Sequence, residues 1–117
     1  MTDLIACLST GKGTWGHVSR VIDDMEWNKV YIITNDFFKD KINVKNAEII
    51  SVDSKKTITE MSSEIKKALD GKINDLEVAL NIVSGEGREH MAVVSALLQL
   101  GLGIRLVVLT KEGVKSI

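Results

Sequence analysis

The chain has 117 residues, room for one domain with a real core and too little for a two-lobed enzyme. It is 44% hydrophobic and 26% charged, with 15 basic against 16 acidic side chains. A net charge of −1 argues against the broad basic face that duplex nucleic acid requires, but not against a small anion held by local N–H groups and a few cations.

Residues 4–8 form a short, continuous apolar run, the pattern of a strand buried on both faces. Cys7, the single cysteine, lies inside it and reads as a buried thiol with no disulfide partner. From Trp15 to Met25 the apolar residues Trp15, Val18, Val21 or Ile22, and Met25 recur at helical spacing. Residues 30–33 make a second strand closed by Thr34, Asn35 and Asp36; residues 37–42 read as one or two helical turns. Residues 47–52 are a third strand, nearer an edge because polar residues interrupt it.

A helix follows over 57–69, with Thr57 as N-cap, Glu60 three residues on to complete a capping box, and Gly71 as stop. Residues 76–83 are the fourth strand, and residues 89–100 an almost wholly apolar helix stopped by Gly101 and Gly103. Residues 104–109 are the fifth strand, followed by a short polar tail. Nothing at the N-terminus resembles a secretory signal, and no run approaches the ~20 apolar residues of a membrane span. The expectation is a cytoplasmic protein with no membrane attachment.

The alternation βαβαβαβαβ predicts a single α/β domain over residues 1–117, a Rossmann-like doubly wound parallel sheet of five strands. The expected strand order is 3-2-1-4-5. Strands 1 and 4 are then neighbours whose connections leave in opposite directions, which opens the crevice where such sheets bind ligands.

A glycine-rich turn follows each of these two strands. The first runs Ser9-Thr10-Gly11-Lys12-Gly13-Thr14-Trp15-Gly16-His17, the second Ser84-Gly85-Glu86-Gly87-Arg88-Glu89-His90. Glycine lets backbone N–H groups approach a ligand, and the helix N-terminus behind each turn favours negative charge. Lys12 and Arg88 add full positive charges, so one nucleotide-type site assembled from both turns is expected. Gly11-x-Gly13-x-x-Gly16 also satisfies the dinucleotide fingerprint, with Asp36 near the spacing expected of a ribose-binding carboxylate. A third reading is bland: the glycines let the helix pack closely on the strand, and Ser9, Thr10 and Thr14 serve as caps and turn formers.

The stretch Asn81-Ile82-Val83-Ser84-Gly85-Glu86-Gly87-Arg88-Glu89-His90-Met91-Ala92 resembles the strand-four signature of CARF domains, the CRISPR-associated Rossmann fold. Leu8-Ser9-Thr10-Gly11 resembles that family's strand-one ligand loop. With Met91 as anchor the family's lysine falls at Glu89, and Arg88 matches after a one-residue shift. The resemblance implies a stand-alone sensory domain that holds a cyclic oligoadenylate across a homodimer. The implied phosphate contacts are Ser9, Thr10, Gly11, Lys12, Gly85, Gly87 and Arg88; Gly13, Thr14, Ser84 and Glu86 complete the turns. A two-fold dimer suits a ring ligand because each half of the ring meets identical groups.

Some members of that family are metal-independent ring nucleases, in which a ribose 2′-OH attacks the adjacent phosphate and leaves a cyclic phosphate end. Lys12 and Arg88 would stabilise phosphoryl charge, while His17 and His90 would serve as base and acid. No metal and no cofactor is expected, since two histidines without suitable carboxylate spacing do not make a metal site. Two alternatives stay open: a small NAD- or nucleotide-binding module using Asp36, and a dimeric interaction subunit using the apolar 91–100 helix.

Overall fold

The computed structural model describes residues 2–117, and of Lys12 only the backbone. Nine regular elements run in order as β1 (Asp3–Cys7), α1 (Trp15–Asp23), β2 (Val30–Asn35), β3 (Ala47–Val52), α2 (Ile58–Leu69), β4 (Glu77–Asn81), α3 (Gly87–Gln99), β5 (Gly103–Thr110) and β6 (Gly113–Ser116). Six strands form one sheet in the order β3-β2-β1-β4-β5-β6, with the first five parallel and β6 antiparallel to β5. The Rossmann-like α/β architecture and the 3-2-1-4-5 order are as the sequence predicts.

Burial explains the strand compositions. Every residue of β1 is buried, which is why its sequence does not alternate. Ile5 and Cys7 face α2 and α3 together with Tyr31, Ile33, Leu80, Val93 and Leu97. Leu4, Ala6, Leu8 and Ile32 face the other way, against Val18 and Val21 of α1. The outermost strand β3 buries only Ile50 and Val52, as its broken apolar pattern requires.

The polar tail and the α-helix that strict alternation implies between β2 and β3 need correction, while the helical turn expected within residues 37–42 is present. The polar tail contains β6, a hairpin partner of β5 in which Thr110 faces Gly113 and Leu109 faces Val114. The segment between β2 and β3 holds only a 3-10 turn at Lys39–Lys41, and no α-helix covers the sheet there. Ile42 and Val44 of that connection supply the apolar cover instead.

Candidate functional site

β1 and β4 are hydrogen-bonded neighbours, with Ala6 opposite Asn81, so the chain leaves both strands at one point on the carboxyl edge of the sheet. The two glycine turns meet there and are bonded to each other. The Ser9 N–H donates to Ser84 Oγ at 3.0 Å, and the Gly85 N–H donates to the Thr10 carbonyl at 2.8 Å. Thr10 Oγ1 adds a bond to Glu86 Oε1 at 3.3 Å. Gly85 has φ +105°, and a Cβ on it would sit 2.8 Å from Glu89 Oε1 and 3.1 Å from His90 Nε2. Only glycine fits that junction. Gly11, at φ +89°, reverses the first turn, which closes as the Thr14 N–H and hydroxyl both donate to the Gly11 carbonyl. Thr14 therefore serves the turn, and its side chain makes no capping bond to α1.

Beneath the junction lies a buried carboxylate. Glu89, in the first turn of α3, is 5% exposed. Its Oε1 accepts the Ser9 hydroxyl at 2.6 Å and the Glu86 N–H at 3.1 Å; its Oε2 accepts Asn35 Nδ2 at 2.9 Å. Three donors and the positive end of the helix stabilise the charge, with no basic partner among the described residues. Part of the α3 N-terminus is therefore occupied by the protein's own side chains, through the reciprocal cap of Glu86 and Glu89. The same carboxylate, after burial itself, helps to push the Cys7 thiol far above its ordinary value. Cys7 is an inert core thiol at neutral pH.

The other site residues named from the sequence fall into two groups. Ser9, Thr10, Gly11, Gly13, Thr14, Ser84, Gly85 and Glu86 belong to the joined turns. Arg88 lies at the start of α3, but its guanidinium turns to the loop before α2, where it donates to the carbonyls of Ser54 and Lys56. The Lys12 side chain lies outside the described residues.

Both imidazoles are tied to the fold. The Leu109 N–H donates to His17 Nε2 at 3.2 Å, and Asn81 Nδ2 lies 3.2 Å from the same atom while also donating to the Val107 carbonyl. His17 thus carries its proton on Nδ1, as inferred from these bonds, and joins α1 to β5. His90 Nε2 lies 2.8 Å from the Ser84 carbonyl and must be the donor. Neither Nε2 can serve a substrate without breaking a bond that holds a turn or a helix in place. Asp36 Oδ1 accepts both the N–H and the hydroxyl of Ser54, and these bonds hold its carboxyl below the usual range.

The open part of the platform is the first turn, where Gly11 and Gly13 are exposed. A Cβ at Gly13, Gly16 or Gly87 would meet nothing within 4 Å. Close helix–strand packing therefore does not require these glycines, which removes one of the roles the dinucleotide fingerprint assigns to Gly16. Sequence reasoning missed Asn35, Asn81 and Trp15. The first two end apolar strands as polar residues yet are buried, at 5% and 1% exposure, and a polar residue in that position was the available signal.

Among the described residues, no group of three or more His, Cys, Asp or Glu side chains could hold a metal ion, and no helix is long and apolar enough to cross a membrane. No protein-family model matches the chain, and no curated protein is significantly similar to it.

Proposed function

We propose that this protein is a binding domain for an anionic nucleotide, with cyclic oligoadenylate as the ligand, seated on the joined turns after β1 and β4. The observation that carries this reading is the pair of backbone bonds, Ser9 to Ser84 and Gly85 to Thr10, that makes the two turns one rigid platform at the switch point of the sheet. The exposed glycines of the first turn supply the anion contacts, because Glu86 and Glu89 already cap each other at the N-terminus of α3. Each imidazole spends its Nε2 on the fold, so acid–base work in cleavage would fall to the Nδ1 atoms, and binding is the simpler reading. The second copy needed for a ring-shaped ligand has an apolar surface to use: Met91 and Leu98 of α3 are 63% and 61% exposed.

The test is a thermal-shift series with cyclic tetra-adenylate, cyclic hexa-adenylate, NAD and ATP, with light scattering on the same samples. Ligand at 100 times its Kd stabilises the folded state by about 2.7 kcal/mol, a rise of several degrees. The expected result is a shift with a cyclic species, a dimer mass, an intact ring after metal-free incubation, and a loss of affinity in Lys12→Ala. A linear product with a cyclic phosphate end would replace binding with ring-nuclease activity. A shift with NAD alone, abolished in Asp36→Ala, would favour the dinucleotide reading, and no shift with any nucleotide would end the proposal.

A further inference from the structure

Because only a 3-10 turn and extended chain join β2 to β3, a cleft of about 370 Å³ remains between α1 and the connection at residues 41–44. Its walls include Leu8 at the end of β1 and Trp15, Gly16, Ser19 and Ile22 along one side of α1. Trp15 directly follows the first glycine turn, and its indole N–H donates to the Ser9 carbonyl at 2.8 Å, so this wall is fixed to the proposed anion site. Phe38 meets Trp15 edge-on with centroids 5.9 Å apart, and Phe37 meets Phe38 at 4.7 Å. Phe37 is 65% exposed, with the Lys41 ammonium 4.1 Å from its ring centroid. Lys41 also lines the cleft. One residue beyond the Cys7–Ile33 pair, the fully buried Thr34 hydroxyl has no partner among the described residues.

We propose that this cleft is a subsite for a planar heteroaromatic base, a purine, whose attached phosphate rests on the turn at residues 11–14. The volume falls at the small end of the roughly 300–1,000 Å³ of small-molecule pockets, enough for one base and its sugar. The apolar walls accept the base, the fixed Trp15 indole favours a flat ring over an aliphatic group, and Lys41 adds a cation at the rim. The assignment rests on the nucleotide reading given above, but its test separates the two.

Trp27→Phe leaves Trp15 as the only indole, since the chain has two tryptophans. In that background Trp15 fluorescence is titrated with adenosine 5′-monophosphate, adenosine and inorganic phosphate, and phosphate binding is followed by its own magnetic resonance. Adenosine monophosphate and adenosine are expected to quench Trp15 saturably. Ser19→Phe, a filling change at an exposed α1 position, should weaken both by about tenfold, the scale of one lost stacked base, while phosphate binding stays unchanged. Lys12→Ala should weaken the monophosphate and phosphate and spare adenosine. If the monophosphate binds through Lys12 without quenching Trp15 and without sensitivity to Ser19→Phe, the cleft assignment falls and the anion site stands. If adenosine alone quenches and phosphate never binds, the cleft stands and the anion site falls. Absence of binding by all three overturns both.

Discussion

At the level of single residues, Glu89 joins the site to the fold. In the sequence it looks out of place, a carboxylate where a phosphate-binding turn should carry a base. Its partners explain it, and they lie far away along the chain: Ser9 is 80 residues distant and Asn35 is 54. Such a network cannot be read from local pattern, whereas the turn glycines beside it can, because their role is set by neighbours in sequence. Glu89→Gln tests the account. A glutamine offers one acceptor oxygen in place of two, and its amide nitrogen would face the donor Asn35 Nδ2. Asn35 cannot turn over to receive it, because its Oδ1 already accepts the N–H groups of Phe37 and Phe38. One buried bond must be lost, so denaturant unfolding should show a loss of about 1–3 kcal/mol. An unchanged midpoint would mean that the network relaxes around a neutral side chain and that Glu89 is not required as an anion.

At the level of elements, legibility follows how local the cause is. The capping box of α2 is wholly local, and the structure contains both halves: Thr57 Oγ1 accepts the Glu60 N–H at 3.2 Å, and Glu60 Oε1 accepts the Thr57 N–H at 3.1 Å. The missed hairpin has a weaker signature. Its two-residue loop, Lys111-Glu112, ends at Gly113 with φ +105°, and β6 offers one apolar residue, Val114, in four. The turn signal was present and the strand signal was not. The absent helix after β2 is a tertiary outcome, since Ile42 and Val44 cover the sheet from extended chain. The capping box also predicts a pH effect. The bond from the Thr57 backbone, then that from its side chain, hold the Glu60 carboxyl below its ordinary value. A lowered folded-state value means that the contribution is complete above the ordinary glutamate range and disappears as pH falls through the folded value. Thr57→Ala should therefore lower stability by about 1 kcal/mol at pH 7. The gap between variant and parent should narrow in melts taken towards pH 3. A gap that stays constant through that range would show that the Thr57 hydroxyl's bond to the Glu60 carboxylate contributes nothing, since alanine keeps the backbone N–H that holds the same oxygen.

For the whole molecule, the alternation of apolar strands and amphipathic helices carried the parallel α/β class, while the 3-2-1-4-5 order was assumed with the Rossmann-like fold and is the one observed. How the sheet ends was less visible. On one side β3 is an open edge, guarded by Glu48 with its ion pair to Lys72. On the other, β6 closes β5: Leu109 pairs with Val114, Val107 pairs with Ser116, and the Ile117 N–H reaches the Leu106 carbonyl at 3.0 Å. Arg105 holds the corner, bonded to Glu77 of β4 at 3.0 Å and to Ser116 at 2.9 Å. Truncation after Thr110 removes these ladder bonds and the partial burial of Val114. That loss is about 2–3 kcal/mol by ordinary values for such contacts. It also leaves β5 with unpaired N–H and C=O groups beside Leu106, already 40% exposed. The truncated chain should melt several degrees lower, and light scattering should show mass growing with concentration beyond a dimer, as edge-to-edge pairing dictates. If it instead melts with the parent and keeps the parent's mass, β5 is protected by its own twist and side chains, and β6 contributes nothing to closing the sheet.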